Sequence, residues 1–205
     1  MPGLPLHTEA FVLLRQPPGD RFQPFTVLSG EHGVLRCLRR VGRRAAVASA
    51  ALDLFDEVDL YLTSSNQGRT WFVQEARVLV RHTAIGRSYD ALRLASRFAA
   101  ILARNPGPEE GRTRVCDLLR QTFGALGAGG RPDVVYLKAL FCFARDEGYP
   151  VKQDWWQGLP AGDRATASAL LNQPVSAQVA APPAVARLTQ RLEEYLRGQT
   201  EILLE

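Results

Sequence analysis

Leu54-Phe55-Asp56-Glu57-Val58-Asp59-Leu60-Tyr61-Leu62 alternates with a period of two. Leu54, Asp56, Val58, Leu60 and Leu62 share one face. Phe55, Glu57, Asp59 and Tyr61 share the other. That period belongs to a half-buried strand, because successive side chains in a strand point to opposite sides. Ser64-Ser65-Asn66-Gln67-Gly68 follows as a hairpin signal, and Thr70 to Val80, with Trp71, Val73, Val78 and Val80, reads as the returning strand.

Upstream the same reading holds. Phe11-Val12-Leu13-Leu14 is a short apolar run ended by Gln16-Pro17-Pro18-Gly19-Asp20, whose Pro, Gly and Asp content marks a turn. Phe25-Thr26-Val27-Leu28 is a second run. Glu31-His32-Gly33 is a tight turn, and Val34 to Leu38 is a third run. Ala45 to Ala51 reads equally as a helical turn or a loop. Five short strands with turns between them predict a small barrel or a sandwich.

After Arg81 the period lengthens to that of a helix. Ser88 stands as an N-cap before Leu92, Ala95, Phe98, Ala99 and Leu102. Val115, Leu118, Leu119, Thr122, Phe123 and Leu126 form the next stripe, which the glycines of 124–130 break. Pro132 opens a third helix, and Gly148 and Pro150 close it. A short helix is expected around Thr166 to Leu171. The last opens at Pro182-Pro183, stops at Gly198, and leaves Ile202-Leu203-Leu204 to dock on the body. Strands followed by helices argue for an α+β chain, with a strand-rich domain over 1–81 and an all-helical domain over 82–205.

The chain has 205 residues, 46% hydrophobic and 22% charged, which excludes a mostly disordered protein and a disulfide scaffold. It has no apolar run of about 18 residues. Met1 to His7 lacks the basic-then-apolar pattern of a secretion signal, so the cytoplasm is the expected compartment. Cys37, Cys116 and Cys142 are too scattered for a CxxC metal site and read as small core residues; His7, His32 and His82 are equally dispersed. No metal or cofactor is expected. The phosphate-loop, dinucleotide, zinc-protease and serine-hydrolase motifs are absent, so no catalytic residue is assigned and a familiar enzyme is not expected. Asp56, Glu57 and Asp59 read as a solvated strand face.

Charge is more informative. The net charge is +4, and only Lys138 and Lys152 among the 25 basic residues are lysine, leaving 23 arginines. A GC-rich genome is explanation enough for that bias, so position matters more than number. Arg15, Arg21, Arg36, Arg39, Arg40, Arg43 and Arg44 face only Asp20 and Glu31 over residues 15–44, a net of +5, while the other 175 residues carry −1. A concentrated arginine run on a small barrel is the sequence form of a phosphate-tracking patch. Phe22, Phe25 and Trp71 are the candidate stacking faces, though Phe25 and Trp71 also read as core.

Glu9-Ala10-Phe11-Val12-Leu13, Pro18-Gly19-Asp20, Phe25-Thr26-Val27-Leu28-Ser29, His32-Gly33-Val34-Leu35-Arg36 and Gly42-Arg43-Arg44 occur in an order that resembles the N-terminus of the RecO family of bacterial recombination mediators. Leu52 to Leu62 resembles its next strand. Leu137 to Pro150, ending Glu147-Gly148-Tyr149-Pro150, resembles a family helix ending in Leu-Gly-Tyr. Val185 to Leu204 resembles its closing helix. The resemblance spans nearly the whole chain through degenerate motifs. It implies a five-stranded OB-fold barrel followed by an all-helical domain, and no enzyme active site. It implies binding of single- and double-stranded DNA through the seven arginines, annealing of complementary strands, and nucleoid association. RecR is the implied partner, usually with RecF, in loading RecA onto DNA coated by single-strand binding protein (SSB). The acidic, Phe-ended SSB tail would dock on the helical domain, with Arg131 and Lys138 as its candidate cations. Two departures stand out. Tyr149 to Leu171 holds no cysteine where many members carry a four-cysteine zinc site, and the basic loop is poor in lysine and diluted by Val41 and Ala45-Ala46. An OB-fold RNA binder, or a protein–protein scaffold that has lost DNA binding, are the alternatives.

Overall fold

A computed structural model describes residues 3–41, 51–64 and 68–204. Five strands come first: β1 (Pro5–Arg15), β2 (Phe22–Ser29), β3 (Gly33–Arg40), β4 (Glu57–Ser64) and β5 (Trp71–Val80). Helices follow: α1 (Tyr89–Arg104), α2 (Arg112–Gly127), α3 (Pro132–Asp146), α4 (Asp154–Gly158), α5 (Ala161–Asn172) and α6 (Pro182–Gln199). The chain is α+β, strands then helices. The hairpin signal at 65–67 and the Ala-rich stretch at 45–50 lie outside the described residues.

The strands hydrogen-bond in the order β1-β2-β3-β5-β4, and the ladder returns to β1 as a closed barrel. β1 makes the closure. Ala10–Arg15 pairs with β2, and Pro5–Phe11 pairs with β4, both antiparallel. A register shift against β2, between Val12 and Leu14, bends the end of β1 beyond its β4-paired segment, as an extra residue in one strand does. β3 and β5 pair in parallel through Cys37↔Trp71 and Leu38↔Phe72. Val12, Phe25, Val27, Leu35, Cys37, Val58, Leu60 and Leu62 fill the interior.

The alternation read in β5 is broken by two register shifts, between Tyr61 and Leu62 and between Glu57 and Val58 on the partner strand. Trp71 and Val73 pack on the core, and after the first shift Ala76 and Val78 do. Val80 is left exposed.

The acidic cluster is not a solvated face. Asp56 is fully buried, and Glu57 nearly so. Arg81 clamps Asp56 with Nη2 at 2.9 Å and Nε at 3.1 Å, and its Nη2 also donates to the Ala51 carbonyl. Asp56 Oδ2 accepts the Asp53 amide as well. The Arg81 charge compensates a carboxylate that burial alone would penalise. It also ties the entry of β4 to the segment after β5.

The chain forms two compact units. The first holds residues 1–82 together with Leu102–Cys116, and the second holds 83–101 together with 117–205. A single cut at 81 therefore misses the last residues of α1 and the first of α2. Local contacts show why they join the strands: Arg112 Nη1 donates to the Glu31 carbonyl at 3.0 Å, and Gly30 faces Thr113 and Cys116. Gly33, with φ of +70°, lies under Arg112, where an added Cβ would sit 3.0 Å from its Nε.

In the second unit α3 is the central helix, buried from Val134 to Leu137 and from Ala139 to Phe141, and packed on α5 and α6. A helix apolar nearly all round belongs inside its unit. The end signals work as read. Ser88 Oγ accepts the Ala91 amide, Pro132 opens α3, and Gly148 adopts φ of +90° behind it. The glycines at 124 and 127 do not stop α2, which runs on to Gly127. Ile202 and Leu204 are buried, whereas Leu203 is exposed. A buried polar knot joins three helices: Tyr136 Oη donates to Glu193 Oε1 at 3.2 Å, and Arg97 pairs with the same oxygen at 2.8 Å. Asp163 of α5 pairs with Arg187 of α6 at 2.7 Å. The Arg187 hydrogen bond, with the charges of Arg187 and Arg191, holds its carboxyl below the usual range.

Three outcomes follow from these contacts. Gly33→Ala lowers stability by about 1–2 kcal/mol in urea unfolding, the cost of forcing a side chain into left-handed backbone. Asp56→Ala, which strands Arg81 beside the Ala51 carbonyl, costs about 1–3 kcal/mol, less than for a fully buried partner because Arg81 reaches solvent. A depressed carboxyl stabilises the fold above its unfolded pKa and loses that contribution as pH falls through its folded value. The acid-side drop in urea midpoint is accordingly shallower in Asp163→Asn than in the parent.

Candidate nucleic-acid interface

Strand parity sorts the barrel's side chains. Phe25, Val27, Leu35 and Cys37 face the core, so their neighbours on β2 and β3 face out. Register then sets the outward residues in rows across the sheet. Leu14, Thr26 and Arg36 form one row. Pro24, Leu38 and Phe72 form the next, and Phe22 and Arg40 the third. Arg36 and Arg40 lie four residues apart on one strand, about 13 Å.

The third row is aromatic and cationic together. The Phe22 and Phe72 rings stand 5.5 Å apart at 52°, and the Arg40 guanidinium lies 6.0 Å from the Phe22 ring. Half-exposed rings beside a guanidinium offer stacking surface and a phosphate partner within one patch.

The seven sequence-assigned arginines divide. Arg36 and Arg40 are exposed on this outer face, and Arg21 is exposed beside it, next to Phe22. Arg39 is half-buried and paired in register with Gln23. Arg15 is committed to Asp53 through a 2.7 Å ion pair. Arg43 and Arg44 lie outside the described residues. Phe25, 2% exposed, and Trp71, packed on the core, offer no stacking face; of the three aromatics named from sequence only Phe22 does. Phe72 was missed. Its signal was present, since it alternates with Trp71 and Val73, but its proximity to Phe22 depends on the parallel β3–β5 pairing.

Within the helical unit a cavity of about 410 Å³ opens among Lys138, Phe141, Cys142, Arg145, Lys152 and Trp156. Two aromatic walls and three cations suit a ligand that is apolar at one end and anionic at the other. Lys138 also has a structural task. Its Nζ donates to the carbonyls of Leu170, Leu171 and Gln173 at 3.1, 3.1 and 2.9 Å, satisfying the C-terminal end of α5. Burial pulls its pKa down. Arg145 leans on Asp146 at 2.7 Å, and Lys152 is exposed at the rim. Arg131 is elsewhere engaged, bidentate on Asp133 and bonded to the Ala180 carbonyl, and does not line this cavity. Burial also raises the Cys142 thiol pKa.

Arg36→Ala with Arg40→Ala should reduce the slope of log K against log salt for an oligonucleotide by about 1–2 units, while Arg15→Ala leaves it unchanged. Fluorescence anisotropy over a salt series reads both.

No family model matches the chain, and no curated protein matches it.

Proposed function

We propose that this protein is a non-enzymatic binder of single-stranded DNA that acts as a recombination mediator of the RecO type. The observation that carries the reading is the outer face of β2, β3 and β5 on a closed barrel, where Arg36 and Arg40 flank a surface that includes the Phe22–Phe72 pair. The strand order β1-β2-β3-β5-β4 is that of an OB-fold, in which the β2–β3 face takes up oligonucleotides. Stacking tolerates any base, and arginines follow the backbone, so the face binds without choosing sequence. Neutralising phosphates while leaving base edges free is also what annealing needs. Complementary strands meet with their repulsion reduced, and no covalent step is required.

On this reading the helical unit supplies the protein contacts. The acidic, Phe-ended tail of SSB places its ring against Phe141 and Trp156, and its carboxylates at Lys152 and Arg145. Lys138 shapes the cavity wall while it caps α5. RecR, with RecF, completes the assembly that loads RecA.

The test is anisotropy of a labelled single strand at two salt concentrations, with an SSB-tail peptide titrated in parallel and annealing followed on complementary strands. Salt-sensitive binding weakened by Phe22→Ala with Phe72→Ala, by about 1–3 kcal/mol per lost stack, supports the interface. Lys152→Ala should weaken the peptide without shifting the thermal midpoint, whereas Lys138→Ala lowers both. Absence of DNA binding at low salt overturns the mediator reading. Peptide binding in that case leaves a scaffold.

A further inference from the structure

Beside the aromatic patch, the first unit contains a cleft of about 450 Å³. This volume falls in the range of small-molecule sites, roughly 300–1,000 Å³. Its floor is the first two outward rows, Leu14, Thr26 and Arg36 with Pro24 and Leu38. Its wall is the last turn of α1, Ala103 and Arg104, which belongs to the same unit as the strands. Two guanidinium groups, Arg36 and Arg104, line it, and among the described residues no acidic side chain does. Arg36 is exposed and forms no ion pair among the described residues. The floor between the cations is apolar at Pro24 and Leu38, and the side chains of Gln16, Thr26 and Thr70 bring hydrogen-bonding groups to the lining.

We propose that this cleft holds one unstacked nucleotide of a bound single strand, its base on the Pro24–Leu38 floor and its phosphate between Arg36 and Arg104. The proposal rests on the reading of the barrel as a single-strand binder and adds a discrete site to it. An open strand face passes bases along by stacking alone. A walled cleft instead takes one base out of the run and fixes the register of the strand on the protein. Leu38 pairs in register with Phe72, so the cleft runs directly into the Phe22–Phe72 pair, and the next base along the strand meets that pair. The segment that builds the wall comes from outside the strands. The site is therefore a property of this chain's tertiary arrangement and not of a five-stranded barrel as such.

The full chain, labelled with ¹⁵N, is titrated with thymidine 5′-monophosphate, with thymidine and with inorganic phosphate, and a fluorescent oligothymidylate is titrated in parallel. The expected result is that the monophosphate moves the amide signals of Thr26, Arg36, Ala103 and Arg104, and that thymidine or phosphate alone moves them far less. Ala103→Phe fills the cleft. It should abolish that response and weaken the oligonucleotide about 5-fold or more, the loss of one base contact. Arg104→Gln keeps the wall and removes its charge, and should weaken the monophosphate while leaving thymidine unchanged; it serves if Ala103→Phe does not fold. An oligonucleotide that binds normally to both variants, with no monophosphate response at the cleft, overturns the site and leaves the single-strand reading standing. Equal responses to phosphate and to the monophosphate also overturn it, since the cleft would then bind an anion without a base. Loss of oligonucleotide binding by the parent protein overturns the reading and the site together.

Discussion

Closure of the five-strand ladder through β1 is the constraint on which the rest of the strand-rich unit depends. One strand pairs with β2 over Ala10–Arg15 and with β4 over Pro5–Phe11, and Ala10 and Phe11 belong to both ladders. Closure leaves the interior to Val12, Val27, Leu35, Val58 and Leu60 and drives every alternate side chain outward. The pairing of buried Asp56 with solvent-reaching Arg81 secures the strand unit from outside the ladder, where β4 begins and β5 has ended. Its partners are backbone groups as much as charges, so its loss would expose unsatisfied carbonyl and amide groups as well as an unpaired carboxylate.

The proposed interface sits on what closure turns outward. β2 and β3 pair along their full lengths, so Thr26 meets Arg36, Pro24 meets Leu38, and Phe22 meets Arg40. Two cations, two rings and an apolar floor are thereby arranged in successive rows. In the proposed interface, rings would meet bases and guanidinium groups would meet phosphates. The helical unit carries a separate, open cavity with aromatic walls and cations around it.

Lys138 illustrates how structure and recognition compete for one side chain. A lysine on a helix next to an apolar cavity reads in sequence as a free cation. Three carbonyls at the end of α5 claim it first, because the last carbonyls of a helix lack partners within it. Arg131 is similarly taken by Asp133 and the Ala180 carbonyl. The cations left at the cavity rim, Arg145 and Lys152, carried no distinguishing mark in sequence.

The chain's own order of residues determined its elements. Period two wrote the strands and period 3.6 the helices. Ser88, Pro132 and Gly148 marked helix ends through the backbone groups they satisfy or the dihedral they permit. The arginine excess over residues 15–44 was legible as a charge imbalance. These are local properties, settled within a few residues by side-chain alternation and backbone sterics. The tertiary structure decided which of those residues meet. One register shift against β4 reversed the parity of β5, and a second set Val80 opposite Glu57 and left it outside. A parallel pairing of β3 with β5 brought Phe72 to Phe22. Ion pairing with Asp53 removed Arg15 from the face that Arg36 and Arg40 share. The return of Leu102–Cys116 to the strands built a wall over the β2–β3 face. Pairings across dozens of residues depend on bulges and on buried partners that no local pattern records, and the cleft and the aromatic pair depend on them.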